Sequence, residues 1–250
     1  MQRIHLQEVA STNTWLTGAA DRELLPHGTV VTAHGQTAGR GQRGNTWESA
    51  PGANITMSVL LRPEGLAPGR QFVISQAVSL AIVEWLDPML PGHIVSIKWP
   101  NDIYVDDCKI CGILIENAIT VGSITRSVVG IGLNVNQPRF VSDAPNPVSL
   151  HQLTGTLYDV DALADILADA VILGVGRALA EPAYACEALP QAYFRRLWRG
   201  TGVYAYIDHT RGVTMEAEIV SVASTGHITL REHPSRQLHT YAFKEISFIL

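Results

Sequence analysis

The chain is short of cysteine and of charge, with three cysteines and 16% charged residues among 250. A small, odd number of cysteines does not build a disulfide framework, which excludes the stapled secreted scaffolds. A net charge of −5 and a pI of about 6.0 leave no global basic footprint for nucleic acid. The opening "MQRIHLQEVA" is too polar for a signal peptide, and no uninterrupted apolar run approaches the ~18 residues of a membrane span. Internal repeats and low-complexity tracts are absent. These absences predict a reduced, cytoplasmic protein without a membrane or DNA partner. What the chain does have is 46% hydrophobic residues, ample for a core in one large domain with or without a small second one.

The sequence alternates between strand and helix signals. "RIHLQEV", "GTVVTAH", "NITMSVLLRP", "IVSIKW", "KICGILIE" and "SVVGIGLNV" read as strands. "STNTWLTGAAD" reads as a short helix with Ser11 placed as N-cap. "RQFVISQAVSLAIVEWLD" sets Phe72, Val78, Ala81, Ile82, Trp85 and Leu86 at helical spacing and is closed by Pro88 and Pro91. "DVDALADILADAVILGVGRAL" and "CEALPQAYFRRLW" are further helices, and "NPVSLHQLTG" a helical turn. "PNDIYVDD" reads as a carboxylate-rich turn between two strands.

From Thr201 onward only short alternating strands remain: "GVYAYID", "TMEAEIVSVAS", "HITLRE" and "LHTYAFKEISFI". Several strands in the body follow one another directly, which favours a mixed or antiparallel sheet backed by helices over a doubly wound one. The expectation is an α+β protein with a main domain over 1–200 and a small β-barrel over 201–250.

Cys108 and Cys111 form a C-x-x-C inside "CKICGILIE". Odd spacing on a strand sends the two side chains to opposite faces. No second pair or His-rich partner follows at zinc spacing, so both are expected to be structural.

"GRGQRG" (39–44) matches G-x-G-x-x-G, but the following "NTWESAPGANITMSV" turns into a strand and opens no helix. No Gly-Lys-Ser/Thr ends the run either, so the dinucleotide and P-loop readings both fail. What remains is a flexible backbone bearing Arg40 and Arg43, whose guanidinium groups suit carboxylate or phosphate. Trp47 either stacks on a purine or packs into the core.

A second constellation, "IKWPNDIYVDDCKICGILIE", gathers Lys98, Asn101, Asp102, Asp106, Asp107 and Lys109. Lys109 enters a buried-looking strand and so needs a charge or a ligand; a hairpin ion pair with Asp106 or Asp107 is the plain alternative. Asn101 and Asp102 either help to ligate Mg²⁺ or cap the turn. In "GIGLNVN" the glycines allow close backbone approach, and Asn134 offers an amide at a strand end.

In this order, "STN", "GQTAGRGQRGNTW", "KWPNDIYVDDCKICGILIE" and "GIGLNVN" resemble the biotin–protein ligases. The resemblance implies a sheet with helices similar to class II aminoacyl-tRNA synthetases, followed by an SH3-like barrel. Some members carry an N-terminal helix-turn-helix; this chain starts at the catalytic strand, so ligase activity alone is expected. The implied reaction joins biotin and ATP into biotinyl-5′-AMP, with Mg²⁺, and then passes biotin to a lysine of a biotin carboxyl carrier domain. A homodimer is also implied.

By the same resemblance Ser11, Thr12, Asn13 and Gln36 meet the biotin ureido ring. Arg40, Gly41 and Gln42 lie on a loop that orders over the adenylate, and Gly112 gives backbone near biotin. Lys109 reaches the carboxylate and the α-phosphate. Trp47, Asn134, Lys98 and Arg43 fall beside the nucleotide, and Asp102 is a candidate to orient or deprotonate the acceptor lysine. One departure is Gln42, which stands where many members have a second loop arginine.

Overall fold

The computed structural model describes residues 2–141 and 145–249, without the side chain of Arg43. Strand β1 (Arg3–Val9) leads through helix α1 (Thr12–Arg22) to β2 (Thr29–Gln36), which pairs with it in parallel. A parallel pair requires such a crossover. Every later ladder in this sheet is antiparallel: β3 (Ile55–Leu61), then β4 (Val95–Lys98), β5 (Asp102–Val105), β6 (Cys108–Thr120) and β7 (Ser123–Leu133). The sheet order is β1-β2-β3-β7-β6-β5-β4, a mixed sheet as the sequence predicts.

β3, "ITMSVLL", is buried at every position because helices cover both of its faces. Ile55, Met57, Val59 and Leu61 enter the main core, while Leu60 joins a second cluster with Leu16 and Ala19 of α1. Strict alternation thus splits one apolar run between two helix layers. It also leaves Ser58 pointing at the α1 side.

Helix α2 (Phe72–Leu86) is the centre of the main core. Together with its flanking turns, the run Pro68–Met89 has the length and apolarity of a membrane span, and 72% of its most apolar 18-residue stretch is buried inside the fold. An all-round apolar helix is stable here because α4 (Val160–Ala180), α5 (Leu189–Arg195), β4 and β5 pack around it. Helix α3 (Leu150–Thr154) starts with a capping box between Ser149 and Gln152.

The C-terminal segment forms a separate antiparallel sheet of β8 (Tyr204–Asp208), β9 (Val213–Val222), β10 (Ile228–His233), β11 (Leu238–Tyr241) and β12 (Ile246–Phe248), in the order β11-β10-β9-β8-β12. Among the described residues no ladder joins β11 to β12. "LHTYAFKEISFI" is therefore two strands, split by a turn in which Lys244 takes φ 72°. Tyr206, Met215, Ile228 and Ile246 of this sheet share the core of the larger one. Trp99 Nε1 donates to the Gly226 carbonyl at 3.0 Å and meets Phe243 edge-on at 5.9 Å, so the two sheets are packed together.

Two expectations change. "PNDIYVDD" is no simple turn: its middle is β5, hydrogen-bonded between β4 and β6. And β6 carries a bulge, since Ile103 pairs with Cys111 while Tyr104 pairs with Lys109, leaving Ile110 extra. The bulge breaks the alternation on which opposite faces for the cysteines depend. Cys108 and Cys111 both pack against the main core, and both are free thiols. Burial pushes the Cys111 thiol pKa far up, as befits a structural residue.

Candidate functional site

A cavity of 1160 Å³ opens over the seven-stranded sheet and collects side chains from remote parts of the chain. Ser11, Thr12, Asn13, Gln36, Arg40, Gly41, Gln42, Trp47, Lys98, Asp102, Lys109, Gly112 and Asn134 all line it. The Arg43 side chain lies outside the described residues.

At one end sits a neutral polar cluster. Ser11 occupies the N-cap position of α1 but makes no side-chain cap bond; it is 4% exposed and faces the cavity. Thr12 N–H donates to Gln36 Oε1 at 2.8 Å, tying the helix start to the end of β2. Ser58 Oγ lies 2.6 Å from Asn13 Oδ1 and 2.8 Å from Thr12 Oγ1. Gly130 is required beneath this cluster, because a Cβ there would stand 2.4 Å from Asn13 Oδ1.

The glycine-rich loop is a small hairpin. Arg40 and Thr46 form an antiparallel bridge, Gly41 N–H donates to the Asn45 carbonyl at 2.7 Å, and Trp47 N–H donates to the Gly39 carbonyl at 3.0 Å. So few bonds make a loop that can open locally at low cost. Arg40 reaches Glu116 at 2.6 Å. Gln42 Nε2 lies 3.5 Å from the Ile113 carbonyl.

Trp47 lies on the sheet floor. A Cβ at Gly132 would stand 2.4 Å from the indole, and one at Gly112 3.0 Å. The ring also lies under Lys109 Nζ, 5.7 Å from its centroid. Two buried polar atoms lining the cavity have no hydrogen-bond partner among the described residues: Trp47 Nε1, a donor, and Asn134 Oδ1, an acceptor. The Asn134 amide nitrogen donates to the Val148 carbonyl at 3.0 Å, which fixes the amide orientation. An unpaired buried polar atom needs an explanation; of the nine such side-chain atoms among the described residues, these two line the cavity, where a ligand has room to complete their bonding.

Lys109 pairs with Asp102, Nζ to Oδ1, at 2.8 Å. The hairpin alternatives are not used: Asp106 holds His93, and Asp107 accepts from Trp198 Nε1 at 3.0 Å. Asn101 is a buried brace that donates to the Ile113 carbonyl at 2.7 Å. Lys98 Nζ donates to Tyr104 Oη at 2.9 Å and lies 4.9–5.6 Å from the rings of Tyr104, Trp198 and Phe248. Burial lowers its pKa against the opposing pull of Asp102, with Lys109 and Arg199 lowering it further. Burial likewise raises the Tyr104 phenol.

Sequence reasoning missed Ser58, Glu116 and Tyr104, and it missed the wall that His209, Phe243, Lys244 and Ser247 build from the C-terminal sheet. Glu116 had a signal: beyond the bulge, Gly112, Leu114 and Glu116 share one face at period two. The C-terminal wall had none, because docking of two sheets leaves no local pattern.

Comparison with known proteins accords with this geometry. The sequence profile of the biotin/lipoate A/B protein ligase family matches residues 6–134. The bifunctional ligase/repressor BirA of Bacillus spizizenii is 35% identical over 164 residues, 63% of this chain and 49% of that protein. The biotin–[acetyl-CoA-carboxylase] ligase of Paracoccus denitrificans is 34% identical over 147 residues, 56% of this chain and 60% of the relative. The matched region thus spans about half the length of the first curated relatives. In fold, the chain resembles the biotin protein ligase of Aquifex aeolicus solved with biotin and ATP, with a TM-score of 0.79, 21% identity, and 98% and 97% of the two chains covered. The profile match takes in the polar cluster, the glycine loop, the Lys109–Asp102 pair and Asn134, and by it the chain belongs to the biotin/lipoate A/B protein ligase family.

Proposed function

We propose that the protein is a biotin–protein ligase that activates biotin with ATP to biotinyl-5′-AMP and then transfers biotin to a lysine of a biotin carboxyl carrier domain. The carrying observation is that Lys109, 5.7 Å from the Trp47 ring, lines one cavity together with a neutral polar cluster and the unsatisfied Trp47 and Asn134 groups. A ureido ring needs neutral donors and acceptors, which Ser11, Thr12, Asn13 and Gln36 supply. A purine suits an indole face beside a buried amide oxygen awaiting a donor.

In this reading the biotin carboxylate attacks the α-phosphorus and pyrophosphate leaves. Both partners are anions, so cations at the meeting point lower the barrier. Lys109 and Arg40 both line the cavity and are the cations this reading assigns to that point, with Lys98 a further cation for the nucleotide side. The acceptor amine then attacks the acyl carbonyl and AMP departs. Asp102 is the candidate to orient or deprotonate that amine, a reading supported by its ion pair with the Lys109 ammonium at 2.8 Å. Magnesium bound with ATP would supply charge neutralisation on the phosphates.

The rest of the reading follows the same resemblance. Residues 1–200 form the catalytic domain and 201–250 an SH3-like barrel, supported by the order β12-β8-β9-β10-β11, in which the last strand returns to the first. A homodimer through the sheet completes it. The deciding test is biotin-dependent ATP–pyrophosphate exchange, with lipoate and octanoate as alternative acids. Exchange with biotin alone is expected. Exchange with lipoate alone would move the function to the lipoate branch of the family, and none with any acid would overturn the adenylation chemistry.

A further inference from the structure

One oxygen of Glu116, Oε2, joins two walls of the cavity. It accepts from Arg40 at 2.6 Å and from Asn13 Nδ2 at 2.9 Å. Arg40 belongs to the glycine loop, Asn13 to the first turn of α1 and Glu116 to β6. A carboxylate only accepts, so Glu116 takes the Nδ2 end of the Asn13 amide, which also donates to the Leu114 carbonyl at 3.3 Å. Ser58 Oγ–H donates to the other end, Oδ1, at 2.6 Å. Asn13 is 2% exposed, and the Gly130 backbone closes the space behind it. Within the proposed chemistry Arg40 is asked to meet an anion, yet its present partner is this carboxylate.

We infer that Glu116 is a positioning residue: it latches the loop 39–46 onto the polar end of the cavity and sets Arg40 and Asn13 in register with one another. The consequence for biotin rests on the ligase reading; the latch itself does not. Arg40 and Glu116 are 43% and 38% exposed, so the bond biases loop closure modestly, by up to about fivefold, as surface ion pairs do. Holding the loop and the amide in their bound arrangement lowers the ordering cost that biotin would otherwise meet.

The test is Glu116→Gln, which keeps side-chain length and an acceptor for Asn13 but removes the charge that Arg40 meets. In the ligand-free protein, tryptic cleavage after Arg43 should rise about two- to fivefold with the melting temperature unchanged. In pyrophosphate exchange, KM for biotin should rise by a similar factor while KM for ATP stays put, and Glu116→Asp should restore part of both. In an Arg40→Ala background, Glu116→Gln should add nothing to cleavage, as expected of two residues in one interaction. Cleavage of Glu116→Gln at the wild-type rate, or fully additive effects with Arg40→Ala, would overturn the latch. If the wild-type protein shows no biotin-dependent exchange, the ligase reading fails and the cleavage comparison still decides the latch.

Discussion

Lys109 Nζ and Asp102 Oδ1 face each other at 2.8 Å across the adjacent strands β6 and β5, about one-third exposed to the cavity. The pair joins the cation expected to meet the first reaction's anions to the carboxylate suited to the second. Lys109→Ala is expected to reduce pyrophosphate exchange by about 10²–10³-fold, the scale of one lost electrostatic donor in a transition state. Exchange kept within tenfold would remove Lys109 from the chemistry.

Asp102→Asn separates the half-reactions. Transfer from preformed biotinyl-5′-AMP to a carrier domain, followed in single turnover, should fall more than exchange does. Equal losses would make a transfer-specific role untenable.

Gly132 bears on the nucleotide side. A methyl group there would stand 2.4 Å from the Trp47 indole, so Gly132→Ala must displace the ring. The expected result is a raised KM for ATP, with circular dichroism unchanged and the Trp47 fluorescence altered. An unaltered KM would show that Trp47 does not cover the nucleotide.

Loop closure gives a binding readout independent of turnover. Biotin with ATP should protect the bond after Arg43 from trypsin, because an acyl-adenylate survives only if water is kept from it. Cleavage at the same rate with and without both ligands would refute ordering over the intermediate.

A pH prediction comes from the C-terminal sheet. The Asp208 side chain is fully buried and accepts from Thr210, Arg211 and Tyr241. Burial alone would raise its pKa, but these bonds outweigh burial and hold it well below the usual carboxylate range. The same environment, burial first and the Asp208 bond second, pushes the Tyr241 phenol up to about 12. A depressed carboxyl stabilises the fold above its unfolded pKa of about 3.9, and that contribution is lost as pH falls towards the folded value. Asp208→Asn should therefore be less stable than wild type at pH 7 in urea, with the gap narrowing as pH drops below ~4. A constant gap would mean that the Asp208 charge contributes nothing.

The motifs and most elements were legible because they are local. Periodicity marks α4, a long apolar run closed by Pro88 and Pro91 marks α2, and "KWPND", "GIGLNVN" and the glycine loop carry their chemistry in adjacent residues. β5 was hidden because Asp102–Val105 is four residues between turns, and its strand identity comes from the partners on either side. The bulge at Ile110 was hidden for the same reason: register is a property of two strands, and it decides that Lys109 and Gly112 share the cavity while Cys108 and Cys111 share the core.

The sequence by itself determined which residues are available to do chemistry and which segments bury their apolar faces. Only the tertiary structure decided the pairings: Lys109 with Asp102 instead of its nearer neighbours Asp106 and Asp107, Arg40 with a carboxylate 76 residues away, and a docked C-terminal sheet for the far wall. The physical reason is that helix and strand periods are written in neighbouring residues. Ion-pair choice instead depends on distances of a few ångströms, which are set when sheet register and helix packing bring remote segments together.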